Sequence, residues 1–68
     1  MTLDKARELI AMHVNFGSGY NRNATRMILG EVMRDFGQAT VDQLIRDYDL
    51  EERWDMREGE YYDTPFKK

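Results

Sequence analysis

His13 and Ser18 are the single histidine and the single serine of this 68-residue chain, five positions apart across the end of a helical repeat of apolar residues. A hydroxyl nucleophile with an imidazole base is the chemistry such a pair could do. The surroundings do not build it. No nucleophile elbow encloses Ser18, and no set of donors for an oxyanion is evident. The plainer role for His13 is a half-buried structural side chain, or a cation near the negative end of a helix. No catalytic residue is assigned, and the chain reads as a non-enzyme.

With one histidine and no cysteine, metal chemistry would rest on carboxylates alone. Asp47, Asp49, Glu51 and Glu52 cluster, but without the alternating oxygen ligands and the glycine of a calcium loop. No metal and no cofactor is expected. The lack of cysteine also removes disulfides, thiolate zinc sites and cysteine nucleophiles.

The segment Gly17-Ser18-Gly19-Tyr20-Asn21-Arg22-Asn23 has the ingredients of an anion site. Glycines expose backbone N–H groups, a helix N-terminus follows, and Arg22 and Arg26 stand four apart. Ser18, Asn21, Arg22 and Arg26 are the candidate residues. The glycine–lysine–hydroxyl spacing of a phosphate loop is missing, as is the third glycine of a dinucleotide fingerprint. The plainer expectation is an interhelical loop followed by a solvated arginine face.

The elements that would position these residues are helical. Thr2 suits an N-cap, and Leu3, Ala6, Ile10, His13 and Val14 recur at spacings of three and four, giving a helix to about Phe16. Gly17 and Gly19 end it. A second helix is expected from about Ala24 to Phe36, with Thr25, Ile28, Leu29, Val32 and Phe36 inward, Gly30 in mid-helix and Gly37 closing it. Thr40 and Gln43 read as a capping box for a third helix carrying Val41, Leu44, Ile45 and Tyr48. Asp49 breaks the pattern, and Leu50 with Trp54 suggests a short fourth turn. The fold class is all-α: a small three-helix bundle over residues 1–56, then an extended or disordered acidic tail over 57–68.

Length and charge narrow the function. A chain of 68 residues supports one modest core, which excludes a multidomain enzyme. Residues 1–46 sum to +1 and residues 47–68 to −4, the latter from eight acids against four bases. An acidic C-terminal third opposes a simple DNA clamp and suits a basic partner. No apolar run reaches the roughly 18–20 residues of a membrane span. No signal peptide is read at the start, and a cytoplasmic setting is expected.

Two binding readings follow. Once the core stripes are filled, Leu9, Met12, Met27, Met33, Trp54, Tyr61, Tyr62 and Phe66 remain as surplus apolar side chains, and Met12, Met27, Met33, Trp54, Tyr61 and Tyr62 are the candidate contact residues. Methionine adapts to irregular surfaces, and tryptophan and tyrosine anchor interfaces. The end of the chain could fold back over the methionines, the chain could self-associate, or another protein could bind. The expected function is therefore a small protein-binding module, with Trp54 as anchor and the acidic end steering a basic partner. The second reading is a nucleic-acid-associated regulator, dimeric and using Arg22, Arg26 and Arg34 on phosphate. A helix-turn-helix around Gly37 is a poor fit. Met33 stands where a small residue is needed, Gln38 and Gln43 stand where apolar ones are, and Asp42 and Asp47 would repel phosphate.

Overall fold

The structure is a computed structural model that describes residues 1–17, 19–60 and 62, with Gly19 and Tyr20 described in their backbone only. Among the described residues four helices follow one another: α1 Leu3–Phe16, α2 Gly19–Phe36, α3 Gln38–Asp47 and α4 Leu50–Trp54. No strand occurs among the described residues. The chain is a small all-helical bundle in which α1 packs on α2, α2 on α3, and α3 on the short α4.

The first helix forms as its sequence dictates. The Thr2 hydroxyl accepts from the Lys5 N–H at 3.1 Å, and Asp4 lies in the first turn beside the positive end of the dipole. Ala6 and Ile10 are fully buried. Gly17 closes the helix at φ 74°, its N–H donating to the His13 carbonyl at 2.9 Å. That left-handed conformation is cheap only for glycine.

Two boundaries differ from the sequence reading. Helix α2 begins at Gly19, not near Ala24, so most of the expected loop is its first turns. Side-chain partners from other elements hold those turns in place: Asn21 faces His13, and Arg22 reaches the Trp54 carbonyl. Helix α3 begins at Gln38, and the Thr40–Gln43 capping box does not form. Gly37 is the whole connection, with φ 95° and ψ 178°, a region open essentially to glycine alone. Its N–H donates back to the Val32 and Met33 carbonyls, and its own carbonyl takes the Val41 N–H. With the turn complete in one residue, Thr40 falls inside the helix. Gln43 is left to donate to Asp47 at 2.8 Å.

The core joins all four helices. Ile28, Leu29 and Val32 from α2, Val41, Leu44 and Ile45 from α3, and Leu50 from α4 are buried together. Phe36, expected inward, is 44% exposed, because the chain turns away at Gly37 one residue later. An ion pair from Arg7 to Asp47 at 2.9 Å and a hydrogen bond from the Tyr48 hydroxyl to the Arg7 carbonyl bind α1 to the end of α3.

Among its described residues the C-terminal segment has neither helix nor strand, but it is docked. Met56 and Tyr62 are each 1% exposed and belong to the core. The packed unit thus runs past the expected limit at residue 56. Tyr61 and residues 63–68 lie outside the described residues.

Candidate binding surfaces

The junction of α1 and α2 is a polar seam. His13 Nδ1 and Asn21 Oδ1 are 2.7 Å apart, with Asn21 buried and His13 half-buried. One turn along α2, Thr25 is fully buried, and its hydroxyl has no hydrogen-bond partner. The seam gives the histidine a structural role, since its contact with Asn21 ties α1 to α2. Ser18, the other half of the conceivable catalytic pair, lies outside the described residues.

The same geometry rearranges the anion candidates. Asn21 is turned inward onto His13. The Arg22 Nε–H donates to the Trp54 carbonyl at 3.1 Å, satisfying an open acceptor at the end of α4. The Arg26 guanidinium stands 5.2 Å from the centre of the Tyr62 ring, a cation–π contact. Residues 19–23, read from the sequence as loop, are instead the first turns of α2. Of the three arginines read as phosphate contacts, Arg22 and Arg26 thus tie α2 to later parts of the chain. Arg34 is exposed and pairs with Asp35 at 3.1 Å. Among the described residues, no group of three or more His, Asp or Glu side chains could hold a metal ion.

The surplus apolar residues separate into two sets. Tyr62 is in the core, and Trp54 and Met33 are half-buried against it. Tyr61 lies outside the described residues. Trp54 is therefore a packing residue as well as a surface one. Met12 and Met27 remain 44% and 42% exposed. The residue the periodicity missed is Phe16, which is 74% exposed. Met12 and Phe16 share one flank of α1 with Leu9, which is itself half-buried against the core at the edge of the Ala6 and Ile10 stripe. The signal was available in the i, i+4 spacing of Met12 and Phe16, hidden by reading Phe16 only as the helix end.

The acidic end forms an open cleft of about 540 Å³ lined by Ile45, Arg46, Asp49, Glu51, Glu52, Asp55 and Glu58. Five carboxylates face it against one guanidinium, and Arg46 is itself paired with Glu58 at 2.6 Å. Asp49 and Asp55 bracket α4 in the left-handed region, at φ 54° and 60°. These two turns fold the acidic run into a wall instead of letting it trail. Comparison with protein-family models, curated proteins and solved structures found no match. No helix among the described residues is long and apolar enough to cross a membrane.

Proposed function

We propose that the chain is a small non-enzymatic protein-binding module, an adaptor, inhibitor or regulatory subunit working in the cytoplasm. The observation that carries this is the pair Met12 and Phe16, four apart on α1 and still exposed although the described part of the C-terminal segment has folded back. Apolar side chains at a surface gain on the order of 1.5–3 kcal/mol each when fully covered. A partner that covers them collects that gain, and Phe16 has the exposure of an anchor. The acidic cleft supports the choice of a basic partner, since five carboxylates there speed encounter with opposite charge. Phosphate contact by Arg22, Arg26 and Arg34 draws little support from their placement, because two of them serve the fold.

The test is a pair of variants, Met12→Ser and Phe16→Ser, in the full chain. Both positions are exposed, so helical circular dichroism and melting should stay close to those of the unaltered protein. Capture of a stoichiometric host protein should weaken about tenfold or more, the cost of removing a hot spot. A partner held as tightly by the double variant would remove this surface from consideration. Sedimentation of the pure chain shows whether a second copy is that partner.

A further inference from the structure

The C-terminal segment is held by a ladder. Along α3, Gln38, Asp42 and Arg46 stand four apart on one face. Arg46 takes the Glu58 carboxylate at 2.6 Å, and Asp42 Oδ1 accepts the Gly59 N–H at 2.9 Å. Gln38 Nε2 donates to the Glu60 carbonyl at 3.2 Å and to Asp42 at 2.8 Å, so the lower rungs support each other. The segment then delivers Tyr62 beneath Arg26, only 1% exposed, its hydroxyl donating back to the Arg57 carbonyl at 3.2 Å.

Each rung reads a different feature of the segment. Arg46 asks for a carboxylate. Asp42 asks for a free backbone N–H, and Gly59 at φ 84° gives it in a conformation other residues rarely adopt. Gln38 asks for the next carbonyl. Arg26 and the core ask for an aromatic ring three residues beyond the glycine. Two rungs read the main chain, which any peptide possesses, and two read side chains, which only some do. That combination of main-chain affinity with side-chain pockets is how peptide-recognition surfaces achieve specificity.

We infer that the face formed by α2 and α3 is a receptor for a short acidic peptide of the pattern Glu-Gly-x-x-Tyr, filled in this chain by its own Glu58, Gly59, Glu60 and Tyr62. The partner that fits is another protein bearing this pattern, which must displace the chain's own copy. The tether raises the internal copy's effective concentration, to the millimolar range for short flexible links. The site therefore responds to a partner presented at high local concentration, or to one whose own flanks add contacts. The apolar pair on α1 is a separate surface, and this inference does not depend on it.

The experiment uses the full chain with its own copy weakened, Glu58→Gln with Tyr62→Ala, and a synthetic peptide of residues 56–62 as probe. Amide resonances of Arg26, Gln38, Asp42 and Arg46 should shift and saturate together. A peptide with the tyrosine replaced by alanine, or the first glutamate by lysine, should bind about tenfold more weakly or worse. Since Tyr62→Ala could unfold the chain, Tyr62→Leu is run in parallel; it keeps apolar volume and removes the ring from Arg26. A further arm pairs Arg46→Glu in the same background with the lysine-bearing peptide, where binding should recover. Shifts that fail to saturate, that miss these four residues, or that a scrambled peptide reproduces would overturn the assignment. So would concentration-dependent dimerisation of the unaltered protein through exchanged C-terminal segments, which would give the face to a second copy.

Discussion

Thr25 shows how a single atom departs from the helical pattern. It sits on the inward stripe of α2, fully buried, and its hydroxyl has no partner. A buried, unsatisfied polar group costs roughly 1–3 kcal/mol, whereas an apolar group of the same shape avoids that cost. Thr25→Val should therefore raise stability by about 1 kcal/mol, read as a higher denaturant midpoint with an unchanged slope. A lower midpoint would mean that the hydroxyl is satisfied in solution. The stripe itself was legible, because periodicity of three and four places Thr25 beside Ile28 and Leu29 without reference to its oxygen. What the sequence hides is which polar atoms on such a stripe find partners. His13 and Asn21 find each other across the hairpin, and nothing local in either helix announces it.

At the scale of elements, what the sequence revealed and what it concealed divide along local and non-local physics. The capping of α1 by Thr2 and its end at Gly17 are interactions within four residues, and both stand as expected. The start of α2 depends on His13 and Trp54, which are distant in sequence, and the expected boundary fell five residues late. The start of α3 was misplaced for a different reason, since a capping box and a glycine turn competed and the turn won. That contest gives an ordering of mutational costs. Gly37→Ala should cost on the order of 1–3 kcal/mol from backbone conformation alone, as nothing lies within 4 Å of the added Cβ. Thr40→Ala should cost far less than the ~1 kcal/mol of a lost N-cap. Equilibrium unfolding of the two variants checks the order, and a larger loss at Thr40 would restore the capping box. The C-terminal segment was read as a loose acidic end because charge density near Glu58 masks the ladder it climbs. The spacing of Gln38, Asp42 and Arg46 was visible on α3, but it reads as an ordinary solvated face until its occupant is seen.

The whole molecule is closed by contacts that titrate at opposite ends of the pH scale. The Arg7 guanidinium, with help from Gln43, holds the Asp47 carboxyl below its usual 3.8. Arg34, aided by the N-terminal amine, does the same for Asp35. Carboxyls depressed in the folded state contribute stability above their unfolded value, and that contribution fades as pH falls through the folded value. Tyr62 is displaced the other way. Burial, with the nearby Glu60 charge, raises its hydroxyl above the usual 10.0. The neutral ring is what the core accepts, so its contribution is full below pH 10 and fades as the pH rises beyond it. A titration of melting temperature should thus show a plateau with two shoulders, one in acid below the ordinary carboxylate range and one in alkali above 10.0. Asp47→Asn should shrink the acid shoulder to the part that Asp35 supplies and leave the alkaline one. Tyr62→Phe should do the reverse, because the ring stays and the ionisable proton goes. If the alkaline shoulder survives in Tyr62→Phe, the ring is not part of the cooperative unit, and the bundle closes without its C-terminal segment.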